Sequence, residues 1–403
     1  MERVGKYITS YIKGKTPKVL LPDEEADTMP YLSPDYLRGV AAPEFYAKQD
    51  NKSIVVDNGE VIVLWDGSNA GEILISKKGV LASTMTMLQF DEKQIDKAYF
   101  GYSFQNLEYI LKAKTAGSGI PHADKGVISK LEFYKPSLTE QTAIAAILSK
   151  VDEAIAAVQG SISAAERLKK SLMQNLLTGR MKPDGTLRKE DEFYVDEKFG
   201  RVPLGWEVKK VTEVADYVQY GLNQASSEKG KIPMLRMNNI VKGKMTNAPL
   251  VYVESNDSLF QQYKLEKGDI LFNRTNSLDL VGKVGVFELD GDYVFASYLI
   301  KIKVSKDNNP YFVNYALNSY PIQCSLRSKA TPAVSQANIN SKSLRNTSII
   351  IPTNKKEQDE IVSRINNVEN EIINKQNKTA ILERLKKSLM QNLLTGRVRI
   401  RIL

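Results

Sequence analysis

The stretch Glu166–Arg180, ERLKKSLMQNLLTGR, recurs letter for letter at Glu383–Arg397, 217 positions further on. Fifteen identical residues within one chain are an internal duplication, and a repeat of that length sets the architecture before any local propensity is weighed. Each copy reads as a helix. Leu168, Leu172 and Leu176, like Leu385, Leu389 and Leu393, recur every four residues, and Gly179 and Gly396 stand where a left-handed C-cap residue belongs. Core packing alone does not require two identical faces, so the duplication points to something that both halves have to present.

The periodicity extends upstream of both copies. Ser137 and Glu140 have capping-box spacing, and Ile144, Leu148, Val151, Ile155, Val158, Ile162, Ala165, Leu172 and Leu176 step by threes and fours, missing only at Lys169. In the second half Asn354 and Glu357 repeat the box, and Ile361, Ile365, Val368, Ile372, Leu382, Leu389 and Leu393 repeat the seam, interrupted at Lys375 and Thr379. The spacing predicts long spacer helices over 137–180 and 353–398. The first would run about 60 Å at 1.5 Å per residue, longer than a typical domain helix.

The remaining segments are rich in β-patterning. Residues 1–136 carry β-branched runs broken by Asn58-Gly59, Asp66-Gly67 and Lys78-Gly79, with one helix expected at Lys97–Lys114. Residues 181–203 read as a polar linker, and 204–352 return to strands, with a helix at Pro310–Leu317. The two β-rich segments share a layout. MPYLSPDYLRG parallels IPMLRMNNIVKG, NGEVIVLWDGSNAG parallels KGDILFNRTNSLDLVGK, and the loop KTAGSGIPHADKGVI parallels RSKATPAVSQANINS. The fold class expected is therefore α+β, with a pseudo-twofold internal repeat. Constant helices beside divergent loops suggest a scaffold displaying two different recognition surfaces.

Composition narrows the function. With 42% hydrophobic residues the chain can bury real cores, and its net charge of +9 favours a polyanionic partner. One cysteine, Cys324, and one histidine, His122, exclude a disulfide framework and leave no ligand set for a metal. The N-terminal MERVGKYITSYIKGK has no apolar signal core and no run is long enough to span a membrane, so a cytoplasmic protein is expected.

Catalytic signatures fail one by one. Gly14-Lys15-Thr16 suggests a phosphate loop, but Thr9 stands where that motif needs glycine. Asn309-Pro310-Tyr311-Phe312 resembles an amino-methyltransferase tetrapeptide, yet it lacks the second proline and a glycine-rich cofactor turn. Pro183-Asp184 with Glu207-Val208-Lys209 imitates a nuclease pattern, but the Pro-Asp pair sits in the linker. His122 has no nucleophile motif around it.

What is left suits DNA, because Arg and Lys read guanine, Asn and Gln read adenine, and hydroxyl and aromatic side chains serve backbone and thymine methyl. The second β-rich segment offers Arg236, Asn238, Asn239, Arg274, Thr275, Asn276, Arg327, Lys329, Ser335 and Gln336. The first offers Lys13, Lys15, Thr16, Lys18, Tyr36, Arg38, Ser68, Asn69, Lys114, Ser118 and His122.

At these residues the chain resembles the DNA specificity subunits of Type I restriction-modification systems. The likeness rests on Pro203-Leu204-Gly205-Trp206, the Gly268-Asp269-Ile270 strand, the Ile349–Ile361 segment with its Glu357-Gln358, and the LLTG helix ends at Leu176–Gly179 and Leu393–Gly396, with Glu140-Gln141 in the first copy. The first segment lacks a tryptophan comparable to Trp206. The resemblance implies a non-catalytic subunit with two target recognition domains, 1–136 and 204–352, each reading half of a bipartite duplex site, and helices pairing as an antiparallel coiled coil that sets the unread spacer. It implies two modification subunits docked on the helices, bringing S-adenosylmethionine to methylate adenine N6, with restriction subunits completing the nuclease. The chain itself would hold no cofactor. Helix pairing and docking are expected from Leu148, Val151, Ile155, Leu172, Leu176, Ile365, Val368, Ile372, Leu389 and Leu393. Leu168, Met173, Leu177, Leu385, Met390 and Leu394 are left over for partners. Two alternatives remain on the residues alone, an autonomous two-headed DNA-binding regulator and a helical adaptor. An apolar outer helix face would favour docked partners.

Overall fold

The computed structural model describes residues 1–48, 50, 52–115, 121–254, 257–332 and 336–401. The repeat forms two helices of 39 residues, Leu138–Leu176 and Lys355–Leu393. Both end on the expected glycine, with φ of +66° at Gly179 and +73° at Gly396. A side chain at Gly179 would also collide with Pro203, whose Cγ lies 2.2 Å from an ideal Cβ position. That glycine is thus fixed by packing as well as by conformation.

The chain divides into two units, 1–161 with 375–403 and 162–374, so each long helix contributes residues to both. In the first unit a four-stranded sheet runs Ile8–Lys13, Met85–Phe90, Val61–Leu64, Ile73–Ile75, and a five-stranded sheet places Thr28–Leu32 parallel to Gly79–Leu81. In the second, a six-stranded sheet begins Ala215–Tyr220, Leu299–Val304, Ile270–Asn273, Val284–Val286, and Ile232–Leu235 lies parallel to Val294–Phe295. The same strands pair in the same order and sense in both units, as the shared layout predicts. The helices expected from periodicity form at Lys97–Ala113 and Pro310–Leu317.

Within each unit the two helix segments run antiparallel. In the first, Glu140 meets Arg399 and Asp152 meets Lys386. In the second, Lys169 meets Glu369 and Glu357 meets Arg188. The break in the first seam at Lys169 now has a cause. Lys169 and Glu369 form an ion pair whose carboxylate side chain is 10% exposed, and the twin pair Lys386–Asp152 stands at 2.7 Å. Tyr102 donates to Asp152 of the twin pair at 2.7 Å, and Tyr315 donates to Asn366, three residues before Glu369, at 2.6 Å.

The seam residues divide between two duties. Ala165, Val368 and Ile372 bury against one another with Ile162 and Leu172 alongside. Val151, Ile155 and Val158 are half-buried. Towards the helix ends the same stripe enters the globular cores: Ile144, Leu148, Leu393 and, beside them, Leu389 join the first, and Leu176, Ile361 and Ile365 join the second around Trp206 and Phe312. Leu177 and Leu394, expected to be left over for partners, are 6% and 3% exposed and belong to these cores as well. A 3.6-residue helix turns its apolar stripe from the partner helix towards the neighbouring sheet, and that turn is what captures them.

The paired Glu-Gln dipeptides at the helix starts are anchors. Gln141 donates to the carbonyls of Pro136 and Gln94 and accepts from the amide of Asp96, the N-cap of helix Lys97–Ala113. Gln358 repeats this on Pro352, Asn308 and the amide of Asn309, the N-cap of helix Pro310–Leu317. The capping boxes close only halfway. Ser137 accepts from the Glu140 amide, but the Glu140 carboxylate turns away to three bonds from Arg399, and Glu357 goes to Arg188 and the Trp206 indole. The segment read as a linker is also ordered, with a hairpin pairing Phe193–Asp196 with Gly200–Pro203 and Val202 fully buried.

Candidate nucleic-acid interface

Each unit builds one loop cluster on the same backbone frame. The edge strands Ile8–Lys13 and Ala215–Tyr220 both run into a glycine, Gly14 and Gly221. An ideal Cβ there would lie 2.1 Å from the Ala82 oxygen and 2.2 Å from the Ala296 oxygen, so only glycine lets these backbones pass. One strand further in, Val61–Leu64 and Ile270–Asn273 end at Leu64 and Asn273. The residues that follow, Trp65 and Arg274, donate their amides to Thr84 and Tyr298 and accept from the amides of Ala123 and Ile339. A returning loop thereby sets His122 beside Asp66 and Asn338 beside Thr275.

The side chains on this frame differ completely. In the first unit Asp66 receives Lys13 Nζ at 3.0 Å on one oxygen and contacts His122 Nδ1 at 2.6 Å with the other. Burial pulls the Asp66 carboxyl upward, but the hydrogen bonds from His122 and Lys13 outweigh it and hold the group below its usual range. In the second unit the Arg274 guanidinium lies 5.1 Å from the Tyr220 ring centre. Its two long contacts, to Ser297 O and Asn338 Oδ1, are both 3.4 Å, and its buried Nε has no partner among the described residues. Stacked and unsaturated, it is held ready for an acceptor. Arg236 and Arg327 likewise carry a buried Nε without a partner.

Of the sequence-derived set, Lys13 and His122 meet in the first cluster and Arg274 and Thr275 in the second. Thr16 bonds Ser83 at 3.1 Å, Lys15 and Lys18 are exposed, and Ser68 and Asn69 occupy the exposed turn after Asp66. Lys114 ends the helix Lys97–Ala113 and shares a cavity with Asp124. Thr275 accepts from Asn338 at 3.0 Å, Asn276 caps its own turn through Ser277, and Asn238 and Gln336 are exposed. Lys329 follows the helix Tyr320–Ser328, and burial, with Lys198 adding to it, pushes its ammonium down. Three expectations change. Asn239 is fully buried, its amide bonding the Arg236 backbone and the Pro249 carbonyl, so it shapes the turn and cannot meet a base. Arg38 is held by Asp35 and Glu72, which spends its guanidinium on anchoring the helix Pro34–Arg38. Tyr36 lies under Lys77, which is 4.1 Å from its ring centre and also bonds its carbonyl. Ser118 and Ser335 lie outside the described residues.

Comparison with known proteins settles the family. The Type I restriction modification DNA specificity domain matches residues 5–167 and 203–384. The chain belongs to that family. The MjaVIII Type I specificity subunit of Methanocaldococcus jannaschii is 33% identical over 99% of this chain and 92% of its own length. The EcoKI specificity subunit of Escherichia coli strain K12 is 24% identical over 63% of this chain and 54% of its own. The crystal structure of a Type I S subunit from M. genitalium shares the fold, with a TM-score of 0.61 at 15% identity, covering 98% and 95% of the two chains. The chain is thus a specificity subunit, a non-catalytic DNA-recognising component, with two β-rich domains alternating in sequence with two long helices. Among the described residues no cluster of His, Cys, Asp or Glu could hold a metal, and no helix is long and apolar enough to cross a membrane.

Asp66, Tyr220, Tyr298 and Asn338 escaped the reading of the sequence. The signal that would have found them is the glycine ending the edge strand in each half. Registered on Gly14 and Gly221, Lys13 falls opposite Tyr220, and Asp66 and His122 fall opposite Thr275 and Asn338.

Proposed function

We propose that each β-rich unit reads one half of a bipartite duplex site through its loop cluster, and that the long helices dock two adenine-N6 methyltransferase subunits and set the number of unread base pairs. One observation carries this reading: a single backbone frame, repeated, presents Lys13, Asp66 and His122 in one unit and Tyr220, Arg274, Thr275 and Asn338 in the other. A frame held constant under changed side chains suits two different base sequences met by the same docking geometry. S-adenosylmethionine would come with the methyltransferase partners, and restriction subunits would complete the nuclease.

The docking surface has its own support. Leu168 and Leu385, twins in the identical stretch, are 49% and 46% exposed, while the neighbouring Leu177 and Leu394 are buried. Large apolar side chains held exposed at duplicated positions suit two copies of one partner better than an autonomous regulator. With Leu168→Glu or Leu385→Glu alone, the chain co-purified with its modification subunit should carry one partner instead of two, and the double variant should carry none. Undiminished stoichiometry in the double variant would remove the helix-docking assignment.

A further inference from the structure

We infer that Lys13 and His122, held by Asp66, select from the major groove an adenine that stays stacked in the duplex; this rests on the proposal that the first unit's loop cluster reads one half-site. The argument is one of donors and acceptors. Asp66 is ionised, since Lys13 and His122 hold its carboxyl below the usual range, and an ionised carboxylate only accepts hydrogen bonds. The 2.6 Å contact to Asp66 Oδ1 therefore places the imidazole proton on Nδ1. In the neutral ring Nε2 is then left as an acceptor. Beside it, Lys13 Nζ is a donor tied at 3.0 Å to the other oxygen of the same carboxylate. The Lys13 and His122 side chains are 56% and 53% exposed, against 23% for Asp66, so the two reading groups stand out from an acid that sits behind them.

One donor beside one acceptor is the complement of adenine in the major groove, where N7 accepts and the N6 amino group donates. It is the pattern that an asparagine or glutamine amide offers, here assembled from two side chains. Guanine presents two acceptors, N7 and O6, and would set one of them against the Nε2 acceptor. Asp66 is the positioning residue, because it fixes both the tautomer and the spacing of the two groups. The second unit lacks this pair, since Thr275 and Asn338 hold the equivalent places.

The test is selection of duplexes from a randomised library by the full chain assembled with its modification subunits, at pH 8. At pH 8 one position in one half-site should prefer adenine about tenfold or more. His122→Ala and Lys13→Ala should each flatten that position alone, leaving the other half-site unchanged. Asp66→Asn, which can no longer impose the tautomer, should blur adenine against guanine there while the thermal melt of the protein stays in place. Uniform loss of affinity across all sequences in His122→Ala and Lys13→Ala would make these groups phosphate contacts and overturn the inference, as would a G·C pair at the affected position. If the wild-type assembly selects no two-part site, the broader reading of the loop clusters falls instead, and this inference with it.

Discussion

A lysine in the middle of an apolar seam would ordinarily be a flaw, yet Lys169 and Lys386 hold identical places in the repeat and each finds an acid, Glu369 and Asp152. Glu369 is almost fully covered and also faces Lys244 at 3.3 Å, so Lys169→Ala would take away one of its two cations and should cost about 1–3 kcal/mol in urea unfolding. Replacing both partners by Leu and Met should recover most of that loss, because a buried pair and a packed apolar pair are often equivalent. A second residue-scale device is Arg399 on Glu140. Hydrogen bonds from Arg399 hold the buried Glu140 carboxyl below its ordinary range, against burial, which pushes it up. A carboxyl lowered in the folded state stabilises above its unfolded value and loses that contribution as the pH falls through the lowered one. Wild-type protein should thus lose stability on the acid side of about pH 4, and Arg399→Ala should lose much of that acid dependence along with stability near neutral pH. An unfolding midpoint for Arg399→Ala equal to wild type at pH 7 would show that the clamp does nothing.

The long helices, the two shorter ones and the parallel layout of the halves were legible because they rest on local periodicity and on the repeat itself. What escaped was whatever depends on a partner far along the chain. Nothing near Glu140 in sequence announces Arg399, 259 residues away, so a capping box was the natural reading. Nothing beside Asp66-Gly67 announces His122, so a carboxylate that organises two donors read as a turn residue. The hairpin at Phe193–Pro203 hides in a polar segment because its burial rests on Val202 and on strand pairing. The seam illustrates the same limit, since periodicity finds an apolar stripe but not what it faces. Leu176 and Leu393 were expected to serve pairing and assembly, and they lie in globular cores. Leu176→Ala or Leu393→Ala should cost about 2–5 kcal/mol by denaturant unfolding. Leu168→Ala, at an exposed position, should stay within about 0.5 kcal/mol of wild type. Equal costs at both kinds of position would contradict the division of the stripe.

At the scale of the whole molecule, duplication keeps the helices, their anchoring glutamines and their ion pairs constant, while the loop clusters diverge. Gln141 and Gln358 tie each long helix to the start of a helix in the neighbouring domain, so the helix proposed to carry partners and the domain proposed to read DNA are joined by matching bonds in each half. The measurement that tests this most directly is a map of methylated adenines in DNA from cells expressing the chain with its modification partner. The account predicts one motif of two unlike half-sites separated by unread bases, with the gap changed and both half-sites retained when a heptad is inserted into each long helix. A single continuous motif, or a gap indifferent to helix length, would contradict it.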